Sequence, residues 1–213
     1  MWAVGGVPGP GVSSVVRMPT EIVFETHSWS EDNESGRATG WLPGQLSARG
    51  RAAAAALGDR RRRNGITAVF TSDLGRAAET ARIAFGGGPI PVLSDWRLRE
   101  CDYGHANGSP AEALRQDRVR HLDVPYPGGE SWRQAVHRVA RFLADVPLRW
   151  ADLRILVIGH TATRWAFDHF LTGVPLETLL TEDFAWREGW EYRLPTGGRD
   201  SAVPMLRPHV PEV

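Results

Sequence analysis

The 213-residue sequence contains no lysine, so all 25 of its basic residues are arginine, and 25 acidic residues balance them. A net charge of zero argues against recruitment of nucleic acid or anionic membrane by an overall field, so any anionic partner must be held by a local cluster. Every cation in such a cluster is a forked guanidinium or a histidine. The single cysteine, Cys101, excludes an intrachain disulfide and favours a reducing compartment.

Long apolar runs are also missing, since none approaches the roughly 20 residues that a membrane-spanning helix requires. Residues 1–20 are rich in Gly, Pro and Val and lack the basic start and apolar block of a signal peptide, so we expect a flexible tail. Residues 21–195 are predicted to form one domain, which the length allows, and residues 196–213 a second tail. We expect a cytoplasmic protein.

Short β-rich segments alternate with helical segments along the predicted domain. Helices are predicted over residues 47–63, 73–85, 110–121, 130–145 and 162–171, and strands over residues 21–24, 66–71, 89–93, 154–158 and 190–194. Polar residues 29–43 show no period and are predicted to be a loop. The alternation predicts a three-layer α/β/α sandwich with a mostly parallel sheet.

Two histidines follow predicted strands directly, His27 after residues 21–24 and His160 after the continuous apolar run 154–158. Ligands of open α/β sheets bind beyond the carboxyl ends of the strands. One histidine there is more often a capped loop residue, but small neighbours at both sites would let a phosphate approach the backbone. Those neighbours are Thr26, Ser28, Gly159 and Thr161.

Arg76 and Glu100 extend this candidate site. Arg76 lies in the first turn of the helix that follows the strand 66–71, where its guanidinium can bind two phosphate oxygens at once. Arg82, on the same helix, is interpreted as solvated. Glu100 lies among apolar and aromatic neighbours that would raise its pKa and suit it to proton donation, although alone it would be taken for a surface residue.

Five ordered sequence blocks carry a resemblance to a known family. The first contains His27, Asn33, Arg37, Gly40 and Trp41. The others are residues 72–81 (Ser-x-Leu-x-Arg-Ala-x-x-Thr-Ala), 98–104 (Leu-x-Glu followed by Tyr-Gly), 127–131 (Pro-Gly-Gly-Glu-Ser) and 157–160 (Val-x-Gly-His). The ordered set resembles the histidine phosphatase, or phosphoglycerate mutase-like, superfamily.

That resemblance implies a phosphomonoester hydrolase acting on a small phosphorylated metabolite. His27 would be the nucleophile that becomes a phosphohistidine, Glu100 the proton donor, and Arg76, His160 and Asn33 the groups that hold the phosphoryl oxygens. Further phosphate- or substrate-binding residues would be Thr26, Ser28, Arg37, Tyr103 and Thr161. The resemblance implies no metal and no cofactor.

The sequence departs from the family pattern where Arg-His-Gly is expected, because Thr26-His27-Ser28 stands there. Losing a bidentate phosphate clamp should cost on the order of 10²- to 10⁵-fold in rate. Arg37 is the nearest candidate to compensate and Arg164 the second. Two alternatives to a phosphatase therefore stay open: a degenerate member that binds a phosphorylated ligand without turnover, and a phosphomutase.

The short segment between Tyr103 and Tyr126 favours hydrolysis over the mutase, whose relatives carry a longer basic insert. The expected partner is a small phosphorylated substrate, with neither nucleic acid nor membrane involved, and a homodimer is left open. The arginines of residues 60–63 are interpreted as a solvated helix end that complements the helix dipole. Trp165 and Trp186 are left open as core or pocket wall, and for the tryptophans near residues 183–190 packing is favoured over a substrate site.

Overall fold

The computed structural model describes residues 18–183 and 185–196. The helices are α1 Glu31–Glu34, α2 Ala48–Arg61, α3 Gly75–Phe85, α4 Ala111–Asp117, α5 Trp132–Trp150, α6 Thr161–Thr172 and α7 Leu176–Leu179. The strands are β1 Thr20–Thr26, β2 Ala68–Thr71, β3 Val92–Ser94, β4 Arg154–Gly159 and β5 Trp190–Leu194. Most of the two predicted tails, residues 1–17 and 197–213, lies outside the described residues. Thr20, assigned to the first tail, instead begins β1.

The five strands form one sheet in the order β3-β2-β4-β1-β5. In the described sheet, β1, β2, β3 and β4 run parallel to one another, and β5 runs antiparallel to β1. β5 alternates buried and exposed residues, as expected of an edge strand. The predicted α/β sandwich with a mostly parallel sheet is therefore confirmed.

Helices cover both faces of the sheet, which explains the continuous apolar run of β4. Ile155 and Val157 face the core formed with α5 and α6, whereas Leu156 and Ile158 face the core formed with α2 and α3. All four side chains are fully buried. Each such residue contributes roughly 1.5–3 kcal/mol on burial, so this strand anchors the sheet against both helical layers.

Capping side chains determine where the main helices begin. Ser47 accepts a hydrogen bond from the Gly50 N–H at the start of α2. Ser131 and Gln134 form a reciprocal capping box at the start of α5. Because these caps are readable in the sequence, the predicted helix starts fall within two residues of the observed ones.

Several element boundaries differ from the prediction. α5 continues beyond residue 145 and through Pro147, because Val146 is buried and Trp150 packs against the core. The predicted helix over residues 110–121 is split into α4 and a 3₁₀ turn, Arg118–His121. The predicted loop 29–43 contains the one-turn helix α1, which a Ser30–Asn33 capping box holds. Among the described helices, none is long and apolar enough to cross a membrane.

Candidate active site

The parallel register of the sheet brings the two strand-end histidines together. Thr26 of β1 pairs with Gly159 of β4, so the residues that follow, His27 and His160, emerge side by side. The backbone N–H of His27 donates to the Gly159 carbonyl at 3.0 Å. The two imidazole centroids are 5.0 Å apart. The structure thus supports the convergence of both histidines at the carboxyl edge of the sheet.

Hydrogen bonds assign the tautomer of His27. Its Nδ1 lies 2.7 Å from the carbonyl oxygen of Ser28, which only accepts, so Nδ1 carries the proton. Its Nε2 lies 3.3 Å from Nε of Arg76, which only donates, so Nε2 presents a lone pair. Burial, followed by the positive charge of Arg76, lowers the pKa of His27 to about 3. The imidazole is therefore neutral and nucleophilic above strongly acidic pH.

His160 is held by the same guanidinium and by a serine hydroxyl. Nη2 of Arg76 lies 3.3 Å from its Nδ1, and Oγ of Ser72 lies 2.7 Å from its Nε2. Because arginine only donates, Nδ1 of His160 is the acceptor, so Nε2 carries the proton and donates to Ser72. Burial, together with the charges of Arg76 and His27, lowers the pKa of His160 well below its ordinary value. A neutral imidazole at this position adds no charge of its own to the site.

Arg76 is the central cation of the site and is 3% exposed. Its Nη2 also donates to the Gly40 carbonyl at 2.9 Å, which ties the guanidinium to the loop after α1. Its Nη1 is buried and, within the described part of the chain, has no hydrogen-bond partner. A buried donor is costly to leave unpaired, so this atom is left to donate to a bound anion. Arg76 thus supplies a preformed anion-binding group beside the Nε2 lone pair of His27.

Glu100 supplies the ionisable carboxyl group of the site. Its Oε1 accepts hydrogen bonds from the N–H groups of Ala162 at 3.0 Å and Cys101 at 2.9 Å, and its Oε2 accepts one from Thr161 at 3.1 Å. Burial nevertheless raises the pKa of Glu100, against the opposing effect of these backbone hydrogen bonds and of Arg76. The carboxyl group is therefore fixed at the start of α6 and inclined to hold a proton.

All ten residues predicted for the site line one cavity of about 600 Å³. They are Thr26, His27, Ser28, Asn33, Arg37, Arg76, Glu100, Tyr103, His160 and Thr161. Their individual roles stay predictions, but no member of the set lies elsewhere.

Asn33 and Thr161 each make a local hydrogen bond that their positions in the sequence motifs did not predict. Oδ1 of Asn33 accepts from the Ser30 N–H at 3.1 Å as part of the α1 capping box, which leaves Nδ2 for a phosphate oxygen. The Thr161 N–H is used by Glu100.

The position of the missing motif arginine is occupied by Thr26, and the two suggested substitutes differ. Arg37 lines the cavity and uses Nη1 to donate to the Gly108 carbonyl at 2.9 Å. Arg164 does not line it, because its Nε pairs with Asp168 at 3.1 Å and its guanidinium lies 4.9 Å from the Trp190 ring centroid. Of the two, only Arg37 is placed to assist Arg76.

Sequence reasoning missed several residues that also line the cavity. Arg60 does so while pairing with the buried Glu25, so the interpretation of this arginine as part of a solvated helix end is wrong. Trp186 is 57% exposed and lines the cavity, so the pocket-wall alternative holds for it and the favoured packing interpretation is wrong. Trp190, by contrast, is packed in the core. Both misses are residues far from the motif blocks in sequence.

The mostly parallel sheet therefore presents two imidazoles, a buried arginine and a buried carboxyl group at its carboxyl edge. Comparison with known proteins identifies the family. The family model of the histidine phosphatase superfamily (branch 1) matches residues 22–185, and the chain belongs to that superfamily.

Curated relatives and solved structures agree with this assignment. A 2,3-bisphosphoglycerate-dependent phosphoglycerate mutase of Methylobacterium sp. (strain 4-46) is 34% identical over 173 residues, which cover 74% of this chain and 83% of that protein. The structure of YhfR from Bacillus stearothermophilus superposes with a TM-score of 0.72 at 27% identity and covers 81% of this chain and 90% of that one. A mycobacterial glucosyl-3-phosphoglycerate phosphatase, solved with VO₃, shares the fold at a TM-score of 0.67 and 24% identity, over 76% of this chain and 86% of that one.

Proposed function

We propose that this protein is a phosphomonoester hydrolase that acts on a small phosphorylated metabolite through a phosphohistidine on His27. The observation that carries the proposal is that His27, whose Nε2 is unprotonated, and Arg76, whose buried Nη1 has no hydrogen-bond partner among the described residues, line the same cavity. A nucleophile and an anion-binding donor side by side are what transfer of a phosphoryl group requires.

In the first step, Nε2 of His27 attacks phosphorus, the N–P bond forms, and the bond from phosphorus to the leaving oxygen breaks. The protonated carboxyl of Glu100 gives its proton to that oxygen, so an alcohol leaves. In the second step, a water attacks the phosphohistidine and gives a proton to the Glu100 carboxylate, and the N–P bond breaks to release phosphate. The enzyme returns to its starting protonation state.

Arg76 provides the electrostatic part of this proposal. Its guanidinium is held by Gly40, His27 and His160 before substrate arrives, so little reorganisation is needed as negative charge spreads over the phosphoryl oxygens. The neutral His160 orients the guanidinium, because its Nδ1 accepts from Arg76 and its Nε2 donates to Ser72. Arg37 takes over part of the role of the arginine that Thr26 replaces.

A phosphomutase is the second candidate, because the curated relatives include 2,3-bisphosphoglycerate-dependent phosphoglycerate mutases. Two arginines of the segment that covers the cavity argue against it. Arg115 binds Glu112 through two hydrogen bonds of 2.7 and 2.8 Å and also pairs with Asp183. Arg118 donates to the carbonyls of residues 180 and 182. A mutase would need such cations for the second anionic group of its substrate.

A member that binds a phosphorylated ligand without turnover is the third candidate, because Thr26 stands where the family has an arginine. The test is release of inorganic phosphate from an aryl phosphate and from a set of sugar phosphates by the wild type, His27→Ala and His105→Ala. His105 is an exposed histidine outside the cavity and serves as the matched control. We expect release by the wild type and His105→Ala only.

The three candidates give different results in this assay. Phosphate release by the wild type and by His105→Ala that is no higher than release by His27→Ala would reject the hydrolase. A rise in the thermal unfolding temperature on adding a phosphorylated ligand, without any release of phosphate, would favour the binding protein. Conversion of 3-phosphoglycerate to 2-phosphoglycerate, in preference to phosphate release, would favour the mutase.

A further inference from the structure

The cavity is much larger than the phosphoryl group it is proposed to receive. About 600 Å³ lies within the roughly 300–1,000 Å³ that is usual for sites that enclose drug-sized organic ligands. His27, Arg76 and His160 occupy only one end of this space, where they contact one another. The remaining volume must therefore receive the part of the substrate that leaves with the oxygen.

Aromatic side chains form much of the wall of this remaining volume. Trp132 at the start of α5 and Trp165 of α6 line it with their ring centroids 4.5 Å apart. Trp186, which is 57% exposed, lines it as well, and so does Trp29, which is 39% exposed and has the Arg49 guanidinium 4.4 Å from its ring centroid. Exposed indole surface within one cavity is suited to stacking against a flat ring, because aromatic pairs prefer offset or edge-to-face contact.

Small and aliphatic side chains form a second part of the lining. Ala53, Ala56 and Leu57 of α2 line the cavity, and their spacing places them on one face of that helix. Two of the three are alanines, whose short side chains leave space in this part of the cavity. Leu114 of α4 adds a further apolar group. None of these side chains contributes a charge or a hydrogen bond to a ligand.

The arginines outside the phosphate end are already engaged by the protein. Arg60 pairs with the carboxylates of Glu25 and Glu188 at 3.6 and 3.7 Å, although its buried Nε has no hydrogen-bond partner among the described residues. Arg115 is paired with Glu112 and Asp183. Arg118 donates to two backbone carbonyls, and its guanidinium lies 5.4 Å from the Trp165 ring centroid. A second phosphate or a carboxylate on the leaving group would have to displace one of these interactions.

We propose that the cavity contains an aromatic subsite for the leaving group, so that the substrates are phosphomonoesters of alcohols that carry one uncharged aromatic ring. The phosphoryl group binds at His27 and Arg76, and the ring lies among Trp29, Trp165 and Trp186. Cleavage of such an ester rests on the proposed function, whereas binding of the ring does not. Aliphatic phosphates fill less of the space, and phosphates with a second anionic group find their cations occupied.

Binding and turnover are measured separately to test this subsite. Calorimetry compares 3-phenylpropylphosphonate with propylphosphonate, neither of which can be hydrolysed at a P–O–C bond. Turnover compares 2-phenylethyl phosphate with ethyl phosphate and with 3-phosphoglycerate. The first two esters leave as primary alcohols, so their intrinsic reactivities are similar and the protein decides the difference.

We expect the phenyl ligand to bind about 10-fold more tightly than its aliphatic counterpart, which is the upper part of the range that one aromatic contact provides. The preference should fall severalfold in Trp186→Ala and in Trp29→Ala. Trp96→Ala is the matched control, because Trp96 is 49% exposed but lies outside the cavity. That variant should keep the wild-type preference.

Each outcome decides between the two proposals. Equal binding of the two phosphonates, binding of neither, or a preference that survives in both Trp186→Ala and Trp29→Ala would overturn the aromatic subsite. Preferred turnover of 3-phosphoglycerate would overturn it too. A phenyl preference in binding without hydrolysis of any ester would support the subsite and reject the hydrolase, and hydrolysis without that preference would do the reverse.

Discussion

Replacement of Arg76 by lysine separates the charge of this residue from its forked geometry. The guanidinium contacts His27 through Nε and both His160 and Gly40 through Nη2, and its Nη1 is unpartnered in the described structure. A lysine keeps one positive charge but has a single ammonium, which cannot occupy all three positions. The Arg76→Lys variant therefore loses at least one donor to the phosphoryl group while retaining most of the local electrostatic field.

The expected size of the effect follows from this geometry. Removal of one preorganised donor to a developing oxyanion usually costs about 10²- to 10³-fold in kcat, or roughly 2.7–4 kcal/mol. Arg76→Lys should lose activity in that range. The Gly40 carbonyl also loses its partner, which should lower the free energy of unfolding by about 1–3 kcal/mol. Activity must therefore be measured well below the unfolding transition of the variant.

The assay is steady-state hydrolysis of an aryl phosphate, with thermal unfolding followed in parallel. Arg82→Lys is the control, since Arg82 is exposed on the same helix, α3, and lies outside the cavity. Arg82→Lys should retain wild-type kcat. A loss below about fivefold in a folded Arg76→Lys variant would refute the reasoning, because such a loss is smaller than one lost donor.

Three further outcomes are expected. The kcat/KM of the wild type should rise as pH increases through about 3, because His27 must lose its proton to attack. It should fall as pH increases through the raised pKa of Glu100, because Glu100 must keep its proton. Glu100→Gln should remove the alkaline limb that depends on this carboxyl and lower kcat by about 10²- to 10⁴-fold for an alkyl phosphate, and an unchanged profile would contradict the role. Arg138→Leu should lower the free energy of unfolding, measured with urea, by about 3–5 kcal/mol. The reason is that the guanidinium, which is 2% exposed, pairs with Glu130 and donates to three carbonyls. A change below about 1 kcal/mol would contradict this role.

The parts of the fold that sequence predicted are those with local causes. The apolar run of β4 and the capping serines of α2 and α5 act within a few residues, so the pattern reveals them. The failures have causes distant in sequence. α5 continues through Pro147 because Trp150 packs against Phe70 of β2, with ring centroids 5.4 Å apart. No local pattern near Pro147 contains that information.

The candidate site divides in the same way. Motif spacing and the rule that ligands bind at the carboxyl edge of the sheet predict that His27, Arg76 and His160 lie together. The leaving-group end of the cavity was not predicted, because Arg60 and Trp186 reach it only through the packing of α2 and of the segment before β5. The sequence also did not predict the ion-pair partners of Arg60 and Arg115, because Glu25 and Asp183 lie 35 and 68 positions away from them.

The central claim is that a phosphoryl group is transferred to Nε2 of His27. Rapid mixing with an aryl phosphate, denaturation at alkaline pH, where phosphohistidine survives, and peptide mass spectrometry measure this directly. The account predicts one phosphorylated histidine, at position 27, that forms before steady-state release of phosphate and is absent from His27→Ala. Phosphate release that proceeds at the wild-type rate with no modified His27 at any time would contradict it.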